Sequence, residues 1–269
     1  MRDLLSTALL YVGMIGSLFA EGKETIQVLP VPRTPESKTV LLAIAFPESQ
    51  EVVPKNPVWV QFRLDGYPLG AGSQFDRADE VVVSSMGQTV HVIVDNQPYF
   101  PVEQPAIDPF NEEGSYYDTS YKFRLLDSLS EGLHTIRMFP ARSFGESLKG
   151  ENTFYAVSFY VGEVKDRPGL DLHTPYLTYN EPGDQIPLSE GRPILLDFYL
   201  RHCELTPDGY KVRLTIDRKI KRNLTSWQPY YIYGLRKGRH TIRLELIDAK
   251  GKKVPGLFND VEQVISVHS

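Results

Sequence analysis

The sequence predicts an all-β protein made of two tandem antiparallel sandwiches, and three observations predict it. Leu129-Ser130-Glu131-Gly132-Leu133-His134-Thr135-Ile136-Arg137 returns as Leu235-Arg236-Lys237-Gly238-Arg239-His240-Thr241-Ile242-Arg243, an L-x-x-G-x-H-T-I-R pattern used twice. Aliphatic and β-branched runs with two-residue alternation recur between Gly-containing turns, at roughly 8–12-residue spacing. Outside the N-terminal segment no amphipathic helical stretch exceeds a turn or two, with residues 142–149 as the one candidate loop helix, so parallel α/β folds are excluded.

Taken in order, Met1-Arg2-Asp3 is followed by a chargeless apolar run from Leu4 to Ala20 and then by Glu21-Gly22-Lys23-Glu24. This pattern predicts a cleavable secretory signal over residues 1–20, with an uncleaved anchor as the alternative, and a protein exported to the periplasm or the cell surface. Residues 21–38 carry Pro30, Pro32 and Pro35 among polar neighbours and are expected to form an extended, weakly packed spacer. The first sandwich is placed at 39–161, a hinge containing Pro168-Gly169 at 162–173, and the second sandwich at 174–269. Such a hinge lets two modules reorient unless their shared surface is large.

The two copies align beyond the shared motif. Gly145 pairs with Gly251 and Phe159 with Ile265 at the spacing that separates His134 from His240, while Val90–Asp95 matches Val212–Asp217 and Phe62 and Leu64 match Phe198 and Leu200 further upstream. The spacing changes only at turn-rich segments, where insertions are tolerated. In copy two, Val212, Leu214 and Ile216 share one strand face, and His240, Ile242, Leu244 and Leu246 share another.

At 269 residues the chain is long enough for two cores. A net charge of −5 without a long basic run gives no electrostatic footprint for nucleic acid, and no segment after residue 20 is long and apolar enough to span a bilayer. Cys203 is the only cysteine, so each module must hold together by burial alone. Next to His202 it resembles a nucleophile with its base, but neighbours on a strand face opposite ways, and an inert thiol is expected.

In copy two the pattern G-x-H-T-I-x-x-x-x-x-D-x-x-G, from Gly238 through Asp248 to Gly251, resembles the penultimate strand and turn of bacterial immunoglobulin-like (Ig-like) domains. Copy one keeps Gly132, His134, Thr135, Ile136 and Gly145 but has no Asp at the turn, and the Cys and Trp hallmarks of antibody domains are absent. The resemblance covers about a third of each module. It implies two Ig-like sandwiches and an extracytoplasmic accessory or adhesive role rather than catalysis.

His134 and His240 occupy equivalent places in different modules, and each is expected to bond loop backbone rather than a metal. The most distinctive segment is an insertion of copy one that mixes aromatics with carboxylates; Tyr99, Asp108, Glu112, Glu113, Tyr116 and Tyr117 are its candidate ligand contacts. Its rings can stack on sugar faces and its acids bond hydroxyls, although the tyrosines can equally continue an edge strand. The same acids match no calcium-loop spacing. No catalytic motif is present, and no catalytic residue, metal or cofactor is expected. The function read from the sequence is an exported cell-envelope protein, a non-catalytic binding or structural module whose partner is an envelope protein or polysaccharide. The alternatives are a carbohydrate-binding module using the insertion and, behind it, an envelope hydrolase.

Overall fold

The computed structural model describes residues 26–103, 120–125, 128–187 and 191–269. The expected signal, residues 1–20, lies outside them. A leading strand β1 (Gln27–Pro30) precedes a first unit of β2 (Leu41–Phe46), β3 (Val52–Val53), β4 (Trp59–Asp65), a one-turn helix α1 (Arg77–Glu80), β5 (Thr89–Val94), β6 (Phe100–Val102), β7 (Ser120–Arg124), β8 (Gly132–Ala141) and β9 (Tyr155–Val161). The second unit contains β10 (Tyr176–Glu181), β11 (Gln185–Pro187), β12 (Ile194–Arg201), β13 (Lys211–Ile216), β14 (Ile220–Leu224), β15 (Tyr230–Tyr233), β16 (Gly238–Ile247) and β17 (Asp260–His268).

Each unit is an Ig-like sandwich, and the two share one strand order. In the first, β2-β4-β7 faces β3-β9-β8-β5-β6; in the second, β10-β12-β15 faces β11-β17-β16-β13-β14. Short β3 and β11 both run parallel to the last strand of their unit. Alternation builds the cores: Val60, Phe62 and Leu64 point inward from β4, and Val212, Leu214 and Ile216 from β13. Residues 142–149 form no helix. They make a tight turn in which Arg142 N–H bonds Glu146 O and Gly145 N–H bonds Arg142 O, the pattern that Asp248, Gly251 and Lys252 repeat. Gly145 and Gly251 sit at φ +86° and +79°, a conformation that costs other residues energy.

The repeated histidines are held by the same device in both units. His134 Nδ1 meets Asp95 Oδ2 at 2.9 Å and its Nε2 meets Ser130 O at 2.9 Å, while Thr135 N–H donates to Asp95 Oδ1. His240 meets Asp217 Oδ2 and Arg236 O, each at 2.8 Å, and Thr241 N–H donates to Asp217 Oδ1. Each ring thus ties a loop carbonyl to a turn carboxylate, so the motif is a strand-end clip. Asp95→Ala and Asp217→Ala are each expected to cost about 1.5–3 kcal/mol, the range for hydrogen bonds to a charged group. Urea unfolding of the two variants checks this, and the two costs should be similar because the clips are alike.

One expectation about the connections is corrected, and the condition attached to another is met. Residues 21–38 were expected to be a weakly packed spacer, yet β1 adds to the edge of β15 in the second unit, register Gln27 to Tyr233 through Pro30 to Tyr230. Beyond it Thr34 is buried, with its N–H on Glu146 Oε1 at 2.9 Å, and Glu36 accepts from Lys149 N–H. The prolines keep the described part, from residue 26 onward, extended, and extended chain is what a sheet edge can capture. Nor do the units hang from a free hinge. Tyr160 Oη donates to Pro168 O at 2.7 Å, and Leu170 and Leu172 pack against an aromatic cluster drawn from both units.

Candidate functional site

The site sits where the two sandwiches meet, and the strands that form it are buried on both faces. In β5, Val90, Val92 and Val94 fill the core of the first unit, yet His91 and Ile93 are buried too. In β12, Ile194, Leu196, Phe198 and Leu200 fill the second core, yet Leu195, Asp197 and Tyr199 are buried as well. Strands covered on both sides lose polar–apolar alternation. Here the outer face of β5 and β8 lies against the outer face of β10 and β12.

One half of this seam is aromatic. Phe139 of β8 stacks on Tyr199 of β12, centroids 5.5 Å apart, with Phe154, Tyr176 and Phe258 around them. The other half is polar and hydrogen-bonded. Lys149 Nζ reaches Asp197 Oδ1 at 2.5 Å, and Asp197 Oδ2 also accepts from Ser147 Oγ at 2.6 Å and Asn180 Nδ2 at 2.8 Å. Asn180 Nδ2 further donates to Gly145 O, leaving its Oδ1 to meet His91 Nδ1 at 2.6 Å. Since both Asn180 donors are spent, Oδ1 is the acceptor and His91 Nδ1 carries the proton. A second node joins Arg77 and Glu146 of the first unit to Thr34 of the leading segment and Tyr231 of β15.

Between these groups lies a cavity of about 250 Å³ lined by His91, Tyr99, Arg137, Asn180, Gln263 and Val264, among others. A second cavity of about 370 Å³ shares Tyr99 and Gly183 with it and is also lined by Glu181. Tyr99 is therefore no free loop contact. Its ring lies on His91, centroids 3.7 Å apart, and its hydroxyl donates to Glu181 Oε1 at 2.6 Å, so it forms a wall between the units. Asp108, Glu112, Glu113, Tyr116 and Tyr117, the other sequence candidates, lie outside the described residues.

Burial also sets the ionisation of this wall. It pushes the His91 imidazole from 6.5 down to about 4, against the pull of its Asn180 bond. It pushes the Glu181 carboxyl from 4.5 up to about 7, despite hydrogen bonds from Tyr99 and the Gly183 N–H. These shifts have opposite consequences. Between about pH 4 and 6.5 only the unfolded chain protonates His91, so its contribution to stability rises with pH. Between about pH 4.5 and 7 only the folded chain keeps the Glu181 proton, so its contribution falls with pH. Over the shared window the two oppose each other. Glu181→Gln is expected to unmask His91: the variant's urea midpoint, compared with the parent's at each pH, should climb from pH 4.5 to 6.5. A difference that stays flat would rule this out.

Cys203 is half-buried, and burial raises its thiol to about 11, which suits an unreactive group. The argument from strand alternation does not apply to it, because β12 ends at Arg201 and His202 sits at φ +58°, its ring near His173 and Tyr176. Among the described residues no three His, Cys, Asp or Glu side chains gather as a metal site, and no helix is long and apolar enough to cross a membrane.

No protein-family model matches the chain, and no curated protein sequence matches it. Among solved structures, the chain is similar to the fibronectin(III)-like modules of Clostridium thermocellum CbhA at 10% identity, covering 84% of this chain and 95% of that one with a TM-score of 0.26. It is similar to the Bacteroides ovatus mixed-linkage glucan utilization locus protein SGBP-B, solved with a mixed-linkage heptasaccharide, at 14% identity, 85% and 48% coverage and a TM-score of 0.21. The chicken CNTN1 FN1-FN3 domains give 10% identity, 89% and 65% coverage and a TM-score of 0.21. Scores this low carry no argument about this chain, and its assignment to Ig-like sandwiches rests on its own strand order.

Proposed function

We propose that the protein is an exported, non-catalytic binding module of the cell envelope. In this reading residues 1–20 are its signal, 39–161 and 174–269 are tandem copies of one Ig-like unit, and the seam between them is its binding surface. The observation that carries the reading is the buried Lys149–Asp197 pair between the units, with side chains 1% and 0% exposed. An ion pair so deep adds little net stability over an apolar contact but defines one geometry. A fixed geometry is what a composite site between two sandwiches requires, since binding groups must be held in place before the ligand arrives.

Envelope polysaccharide or protein is the partner class this reading implies, and the copy-one insertion with Asp108, Glu112, Glu113, Tyr116 and Tyr117 belongs to the proposed contact surface. The test is a glycan array and an envelope-protein binding screen on the chain from residue 21 onward. Saturable capture of a defined glycan or protein supports the proposal. Turnover of a captured glycan, or the absence of any capture in both screens, overturns it.

A further inference from the structure

The L-x-x-G-x-H-T-I-R motif ends on an arginine in both units, and the two arginines have different surroundings. In the second unit Arg243 is closed by a carboxylate: Nε donates to Asp260 Oδ1 and Nη2 to Asp260 Oδ2, each at 2.7 Å. Asp260 stands opposite Glu245 in the β16–β17 register, one pair beyond Leu244 and Val261. In the first unit Met138 faces Tyr155 as Leu244 faces Val261, so the residue in the place of Asp260 is Phe154. Arg137 has no acid at the place where its counterpart has one.

What replaces the acid does not neutralise Arg137. Its Nη1 donates to Thr178 Oγ1 and Leu177 O, its Nη2 to Asp95 O and Asn96 Oδ1, and its plane lies on Phe258. All of these acceptors are neutral oxygens. Its Nε is buried and meets no acceptor, the residue is 1% exposed, and among the described residues it forms no ion pair. Burial lowers the guanidinium to about 9, which still leaves it charged at neutral pH. Arg142, which borders the same cavity, donates to Pro35 O and lies over Phe75, again without a described carboxylate partner. Among the described residues that line this cavity Asp184 is the one acid, and it is exposed, while Glu181 lies behind Tyr99 in the adjoining cavity.

Beside this charge, which no carboxylate bonds directly and which only nearby Asp95 partly offsets, stands an acceptor. With its Nδ1 proton spent on Asn180, neutral His91 keeps Nε2 as a lone-pair acceptor in the cavity wall, and Gln263 supplies a further amide. A charge awaiting an anion next to an acceptor awaiting a hydroxyl describes one kind of small molecule. We infer that the cavity between the units binds a hydroxylated carboxylate of the uronic-acid type, its carboxylate held in the field of Arg137 and a hydroxyl donated to His91. This rests on the binding-module reading and narrows it to an acidic sugar. A cavity of about 250 Å³ has room for a single such residue, either free or at the end of a chain.

The experiment is calorimetric titration of the full chain with D-glucuronate, a galacturonate trimer, D-glucose and inorganic phosphate. It is repeated on Val264→Trp, a change at a 46% exposed position of the cavity wall where a large ring obstructs entry without touching the buried bonds. The expected result is saturable binding of glucuronate about tenfold or more tighter than glucose or phosphate, and weakened by about tenfold in the variant at an unchanged unfolding midpoint. Binding of the trimer but not the free acid identifies a chain end as the source and supports the same site. Glucose or phosphate binding as tightly as glucuronate overturns the inference, as does equal glucuronate binding by the variant, while the binding-module reading survives either outcome. Absence of uronate binding in any form also overturns it, and the binding-module reading falls only if the wider glycan and protein screens are empty as well.

Discussion

Asp197→Ala is expected to lower the free energy of unfolding by about 3–5 kcal/mol, the cost of removing one partner from a buried ion pair. The size follows from what remains. Lys149 would keep its bonds to Ser147 O and Oγ, but its charge would be enclosed at 1% exposure with no carboxylate bonded to its Nζ. Ser147 and Asn180 would each lose an acceptor at the same time. Because Lys149 belongs to the first unit and Asp197 to the second, the variant should also let the sandwiches part, seen as a larger radius of gyration in solution scattering. The double change Lys149→Met with Asp197→Leu removes both charges and should cost less than Asp197→Ala, because only the Ser147 and Asn180 donors are then left unpaired. A single-variant cost below about 1 kcal/mol would show that the pair is well solvated and not a structural tie.

The sandwiches were legible in the sequence because their cause is local. Alternation in Trp59–Asp65 and Lys211–Ile216 needs only one covered face, and Gly145 and Gly251 mark turns whose backbone requires them. The histidine clip was half legible: the loop carbonyl partner was expected, whereas the carboxylates of Asp95 and Asp217 lie 39 and 23 residues away from their rings. The seam was not legible. Asp197 in Ile194–Arg201 reads as an outward residue of an ordinary strand, and its meaning depends on Lys149 and Asn180, which come from other elements. One signal was nevertheless present. Leu195 and Tyr199 break the polar alternation expected of a solvent-facing side, as Ile93 does in β5, and such interruptions mark strands covered twice. Likewise Pro30, Pro32 and Pro35 announced an extended segment, but not that Tyr230–Tyr233 offered it an edge.

Phe139→Ala should cost about 3–5 kcal/mol, as much as truncating a phenylalanine in either core. Phe139 points away from the core of its own unit: Met138 and Pro140 flank it in β8, and Met138 is the one that joins the first core. Yet Phe139 is fully buried, with rings of Phe154 at 6.2 Å, Tyr199 at 5.5 Å and His91 at 5.9 Å. Phe62, stacked on Tyr121 inside the first core, supplies the comparison. Similar losses for Phe62→Ala and Phe139→Ala, measured by denaturant unfolding, would mean that the seam is packed as tightly as a core. If the sandwiches were only tethered, Phe139 would face solvent for much of the time and its truncation would cost less than about 1 kcal/mol. The combination with Asp197→Ala separates these cases further. Once either change has released the units from one another, the other has little left to break, so the double variant should lose well under the sum of the two single losses. Full additivity would instead require that the sandwiches stay docked in both single variants, and would refute the view that the aromatic and ionic halves of the seam hold as one.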